Sequence, residues 1–232
     1  AASSVVGAFG VINLAWQIST LMRRAFETPL VAVTAGAPAH EVRDLYLKVV
    51  KRVLTWQIPI VVLVAAAGGT ILHLVSPALG STAHHIGLSI LVTTSFAVTA
   101  PWMAQQILSG LGKSTLNLYN STFSALVGVF FLWILVPPYG IVGACIAQAL
   151  AVLTVGILST FQIRRYANLP GFPEGYLPTA GAMIVCSALC GWLWTLPVPP
   201  IGTFDRWPAW AAGAALLAGW LLVAKPFREQ KA

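Results

Sequence analysis

Residues 116–153 read LNLYNSTFSALVGVFFLWILVPPYGIVGACIAQALAVL, two long apolar runs on either side of Pro137-Pro138-Tyr139-Gly140. A double proline stops a helix and the glycine after it permits a tight reversal, so the runs are expected as antiparallel neighbours. Each run approaches the roughly 20 apolar residues that a helix needs to cross a bilayer. Beyond the turn, Gly143, Ala144 and Ala147 offer a small-residue face for close helix packing.

The rest of the chain follows the same pattern. Of 232 residues, 58% are hydrophobic and only 8% charged, and the mean hydropathy is +0.83. A soluble domain carries about 25% charged residues, so no single core could hide these side chains behind polar surface. Disorder needs the opposite composition, and the long Leu-, Ala-, Val- and Ile-rich runs differ from the short alternating segments of a β-barrel. The expected fold class is all-α, a polytopic helical membrane protein with about seven transmembrane helices forming a single bundle over 1–232. The spans fall near 5–33, 50–75, 85–108, 116–136, 141–163, 177–196 and 208–224. The opening AASSVVGAFG has neither an initiator Met nor a basic leader, and reads as the start of a fragment of a longer protein.

The net charge of +7 does not indicate nucleic acid, because its basic residues lie scattered between apolar spans. Their distribution instead sets an orientation. Twelve of the 13 Lys and Arg residues belong to the first, third and fifth links or the tail, leaving Arg206 alone on the other side. That asymmetry is the positive-inside pattern, and it places those links and the tail in the cytoplasm and residue 1 outside. Residues 38–53, PAHEVRDLYLKVVKRV, place Val42, Leu45, Val49 and Val53 at helical spacing. The link 34–49 is therefore expected as a cytoplasmic amphipathic segment lying on the membrane and running on into the second span.

Chemistry-bearing residues are few. Cys145, Cys186 and Cys190 sit in apolar stretches without metal spacing and read as small buried hydrophobes. His73, His84 and His85 flank the second link on the outer side and admit two readings, a proton-responsive cluster or, the commoner case, polar interfacial residues. Trp16 and Trp133 lie deep in spans and read as packing residues. No zinc-protease, nucleophile-elbow, phosphate-loop or dinucleotide motif is present. No catalytic residue, metal or cofactor is expected, and the chain does not read as an enzyme.

The unusual cluster is Arg23, Arg24 and Glu27. If the first helix ends near Leu21, the arginines are interfacial anchors that snorkel to the headgroups. If it continues past Pro29, Arg23 and Glu27 share a face and the charges belong to a protein-lined or wet cavity. Asn13 and Gln17, four apart, share a face of the same helix. Both they and Gln57, Gln105, Gln106, Asn117, Asn120, Ser121, Ser124 and Gln148 admit two readings, interhelical glue or a hydrated groove.

The segment from Gly110-Leu111-Gly112-Lys113 through PPYGIVGACIAQALA resembles the corresponding stretch of polysaccharide flippases. These belong to the multidrug, oligosaccharidyl-lipid and polysaccharide exporter superfamily. The first span with Pro29 and the HEVRDLYLKVVKRVL segment resembles the start of that family's second lobe. The resemblance covers residues 1–165, with Cys145 where the family often has alanine and seven spans where a minimal lobe has six. It implies one lobe of a two-lobed transporter in the cell's inner (plasma) membrane. Such a transporter flips lipid-linked oligosaccharide for cell-surface polysaccharide by alternating access. The implied partners are that cargo, the bilayer and a missing N-terminal half, and no nucleic acid. With that cargo, the substrate-binding residues expected from the first helix are Arg23, Arg24, Glu27, Asn13 and Gln17, with Arg24 touching a diphosphate and Glu27 positioning Arg23. A cation antiporter of the same superfamily would want more intramembrane carboxylates than Glu27. A membrane enzyme of polysaccharide assembly would want a large outer loop.

Overall fold

The computed structural model describes residues 2–195 and 211–218. Among them the chain is helical throughout: α1 (Ala2–Thr34), α2 (Ala39–Val75), α3 (Thr82–Ala97), α4 (Thr99–Gly110), α5 (Ser114–Ala167) and α6 (Tyr176–Thr195), with a short 3₁₀ turn at Pro77–Leu79. Three helical stretches, His40–Val75, Ser114–Ala167 and Tyr176–Thr195, are long and apolar enough to cross a membrane, and the bent pair α3–α4 makes a fourth. In α1 the uninterrupted apolar stretch is shorter, Val6–Leu21, because the charged cluster follows it. Of the seventh expected span only 211–218 is described, as helix with Gly213 against Ala66 of α2. The remainder of that span, the link before it and the tail lie outside the described residues.

α5 is 54 residues long but is not one rod. Gly140, at φ 54° and ψ −124°, breaks its helical geometry, and beyond it the chain turns back on itself. Ser124 Oγ donates to Ala151 O at 2.7 Å, and the Asn120 and Gln162 amides exchange two hydrogen bonds of 2.8 Å. Those pairings centre on Gly140, so limbs 114–139 and 141–167 form the antiparallel helical hairpin expected from Pro-Pro-Tyr-Gly. Two glycines permit the closeness. A side chain at Gly143 would collide with the Leu135 carbonyl, and one at Gly128 would meet Ala151 Cβ at 3.2 Å.

The core is formed mainly where α2, α3 and α4 meet α1 and α5, around Ile12, Val50, Val53, Val61, Leu72, Leu91, Phe96, Met103, Ile107 and Ile163. The segment expected to lie on the membrane surface forms the opening turns of α2, and its apolar stripe is packed against protein. Val42, Tyr46, Val50 and Val53 are buried, whereas Leu45 and Val49 are only half-buried. The two ends of the expected stripe, Val42 and Val53, are buried as expected, while its middle shifts by one residue, to Tyr46 and Val50 in place of Leu45 and Val49.

Tyr46 reaches the break between α3 and α4, which meet at 51°. Pro101 has no N–H to offer the carbonyl of Ala97, four residues back. The Tyr176 hydroxyl fills the gap, donating toward Phe96 O and Ala97 O, each at 2.9 Å, and accepting from the Ala100 N–H at 3.3 Å. Tyr46 donates to Gly171 O at 3.2 Å and lies 3.4 Å from Ala100 O. Gln57, fully buried in α2, bridges the break: its Nε2 donates to Ser95 Oγ and its Oε1 accepts from Thr99 Oγ1 at 2.6 Å. The broken backbone is thus satisfied by side chains, as a helix interruption inside an apolar medium requires.

Trp133, expected to pack inside, is 78% exposed. It belongs to a continuous apolar outer face on the first limb of α5 with Leu118, Phe123, Leu126, Val129 and Phe130. His85, expected at the interface, is fully buried.

Candidate functional site

α1 remains helical through Arg23, Arg24, Glu27 and Pro29 to Thr34. At 3.6 residues per turn, its side chains divide into three stripes. Ile12, Ser19, Arg23, Leu30 and Thr34 are buried against the bundle. Leu14, Ile18 and Leu21 are exposed and apolar. Between these stripes, within an arc of about 60°, lie Asn13, Gln17, Arg24 and Thr28. Asn13 and Gln17 are half-buried, Arg24 and Thr28 exposed.

The two arginines therefore occupy different environments despite being neighbours. Arg23 is 3% exposed. Its Nε donates to Glu27 Oε1 at 3.2 Å, one turn along, and its guanidinium lies over the Trp102 ring of α4, 4.2 Å from the centroid. Among the described residues, Arg23 Nη1 and Trp102 Nε1 are buried without a hydrogen-bond partner. A guanidinium in such a place keeps its charge tolerable through the carboxylate and the aromatic face together. Glu27 is only half-buried. With Thr28, Val31, Ala32 and Gln106 it lines a recess of about 400 Å³ between α1 and α4.

The structure thus brings Arg23 and Glu27 into contact and sets Arg24, Asn13 and Gln17 on a separate polar strip beside them. These three make no side-chain hydrogen bond or ion pair among the described residues. α1 and α4 run side by side here: Arg23 meets Trp102, Val31 faces Gln106 across the recess, and Gly110 packs tightly against Thr34. Trp102 and Thr28 were not singled out from the sequence. Trp102 carries a signal only through its neighbour Pro101, which opens the helix that presents it.

Several of the other polar candidates bond within the bundle, whereas Gln106 lines the recess and Ser121 and Gln148 make no side-chain hydrogen bond among the described residues. Asn117 donates to Gln105 O at 3.0 Å and to Ser109 Oγ, Asn120 pairs with Gln162, and Ser124 bonds a main-chain carbonyl. Only Gln105 Oε1 and Asn117 Oδ1 in that group are buried without a partner. Cys145 and Cys190 are buried and Cys186 is half-buried, all as free thiols.

The class defined by this geometry is an all-helical protein built on several long apolar helices, compatible with residence in a membrane. No protein-family model, curated protein or solved structure matches the chain.

Proposed function

We propose that this chain is one lobe of a transporter that flips lipid-linked oligosaccharide across the cell's inner membrane by alternating access. On this reading the seven spans expected from the sequence, with the two limbs of α5 counted separately, put residue 1 outside and the tail inside. The observation that carries the reading is the division of labour on α1. A buried Arg23, held by Glu27 and Trp102, lies next to an exposed Arg24 on a polar strip with Asn13, Gln17 and Thr28. A cation that reaches out of an apolar helix without an acidic partner suits a diphosphate, to which a guanidinium offers two parallel hydrogen bonds. The lone intramembrane carboxylate is already engaged by Arg23, which weighs against cation antiport. The tight α5 hairpin and the interrupted α3–α4 helix supply rigid and jointed parts of the kind that alternating access uses.

The test is transport of a polyprenyl-diphosphate oligosaccharide into proteoliposomes by the intact transporter. Arg24→Gln is expected to abolish it with normal insertion, and Arg24→Lys to restore part. Normal transport by the Gln variant would make Arg24 an interfacial anchor. Topology is checked separately: a reporter that is active only outside should be silent when fused after Arg165, and activity there would reverse the orientation.

A further inference from the structure

We infer that His85 is a proton-binding site whose occupancy decides whether α3 and α6 stay seated on α2. Three helices converge at this side chain. Its Nδ1 accepts a hydrogen bond from the Gly69 N–H of α2 at 2.9 Å, and its ring stacks on Trp194 of α6 with centroids 4.2 Å apart. Trp194 Nε1 in turn donates to Ala66 O of α2 at 2.8 Å. The seat is a glycine notch. A Cβ at Gly69 would lie 2.6 Å from the Trp194 ring and 3.1 Å from His85 Cβ, and one at Gly68 would lie 3.4 Å from His85 Nδ1. Two side chains from two helices thus bind the main chain of a third within one turn.

The chemistry of the seat admits only the neutral ring. Nδ1 accepts from an amide, so the proton of neutral His85 sits on Nε2, and among the described residues Nε2 is buried without a partner. Adding a proton at Nδ1 turns an acceptor into a donor facing the Gly69 N–H, and that hydrogen bond is lost. The new charge would also lie in the first turn of α3, at the positive end of its peptide dipoles.

Nothing nearby compensates it. The α2 wall offers Gly68 and Gly69; α6 offers Trp194, with the Cys190 thiol one turn earlier; α5 offers the Cys145 thiol, which lies against Gly87; and α1 offers Ile12. On α3 itself, His84 is engaged with Ser81 Oγ at 2.6 Å, and His73 of α2 lies against Gly80. No carboxylate faces the ring among the described residues. Uncompensated charge at this depth is costly, so a proton binds when the ring leaves the notch and reaches water or headgroups. Protonation and undocking are then one event. The unpartnered Nε2–H marks where a proton acceptor could meet the ring.

The inference needs no cargo, so its outcome is separate from that of the flippase reading. The 232-residue chain, with 15N at His, Gly and Trp, is placed in nanodiscs and titrated from about pH 8 to about pH 4, either side of the unperturbed imidazole value. The His85 ring is expected to start as the Nε2–H tautomer and become doubly protonated. The Gly69 amide and Trp194 indole resonances should move to unbonded positions with the same midpoint. In His85→Asn, whose amide oxygen can still accept from Gly69, the Trp194 resonance should no longer move. A His85 ring that does not titrate, or titrates while Gly69 and Trp194 stay fixed, would overturn the inference. So would a Trp194 shift that persists unchanged in His85→Asn. If that variant fails to fold, the unsubstituted chain alone decides between these outcomes.

Discussion

The α5 hairpin and the α1–α4 seam are both lined with polar residues, yet they use them in opposite ways. In the hairpin, polar groups close on one another: Asn120 with Gln162, and Ser124 with a main-chain carbonyl. In the seam, Arg23 Nη1 and Trp102 Nε1 have no hydrogen-bond partner among the described residues, a recess opens beside Glu27, and Arg24 is exposed. A helix pair that satisfies itself is a structural unit. One that buries a charge with capacity to spare bears a constraint other than stability.

That contrast is broken most severely at the hairpin turn. Gly143→Val would drive a branched side chain into the Leu135 carbonyl across the reversal. Main chain cannot give way as a side-chain tip would, so the loss should reach about 3 kcal/mol or more. Reversible unfolding in mixed detergent is the measurement; a loss below about 1 kcal/mol would show that the limbs can separate cheaply.

In the seam, the Arg23–Glu27 pair should respond asymmetrically. Glu27→Gln keeps an oxygen that can accept from Arg23 Nε but removes the counter-charge of a 3% exposed guanidinium, whereas Arg23→Met leaves a carboxylate that can turn toward the recess. Stranding the buried charge is the costlier change. Glu27→Gln should cost about 2–3 kcal/mol and Arg23→Met distinctly less. Equal losses would mean that the carboxylate is as confined as the guanidinium.

How much of this was legible in the sequence depends on how far apart the interacting residues are. The hairpin could be read because its stop and its turn are adjacent, at Pro137-Pro138 and Gly140, and the limbs follow without further choice. The persistence of α1 past Pro29, and the pairing of Arg23 with Glu27, could be read as one of two options, since both rest on spacing within a single helix. The α3–α4 break could not. Pro101 sits inside a stretch that reads as one continuous span, and the group that makes a break tolerable, the Tyr176 hydroxyl, is 79 residues from the Ala97 carbonyl it satisfies. His85 escaped for the same reason. Its place at the start of a span suggests the interface, while the Gly68-Gly69 notch that buries it belongs to another helix.

Tyr176 therefore gives a sharper test of how the break is held. Tyr176→Phe keeps the ring and its stacking on Phe172, 5.4 Å between centroids, and removes only the hydroxyl. The Ala97 carbonyl and the Ala100 N–H then lose their partner in a buried place. A buried orphan costs about 1–3 kcal/mol, and relaxation of the break toward a straighter helix would recover some of it, so a loss of about 1–2 kcal/mol is expected. Because Pro101 still withholds its N–H, a spin-label pair placed on α3 and α4 should also report a broader distance distribution. An unchanged distribution would mean that Gln57, bridging Ser95 and Thr99, holds the angle by itself.

The smallest effect tests the other side of the comparison. Asn120 and Gln162 exchange two amide hydrogen bonds across the hairpin, 42 residues apart in sequence. Asn120→Leu alone strands the Gln162 amide, and Gln162→Leu alone strands Asn120, which keeps only a 3.4 Å contact to Ser159 Oγ. Each single change should therefore destabilise. The double change removes both polar groups together and puts two apolar side chains where lipid-like packing is as good. A double-mutant cycle should return a coupling of about 0.6–2 kcal/mol, the range for polar contacts between membrane helices. The double variant should then lie close to the unsubstituted chain in stability. Strictly additive losses would mean that the two amides are not each other's partners, and the polar side chains of α5 would again be open to the hydrated-groove reading that their mutual pairing argues against.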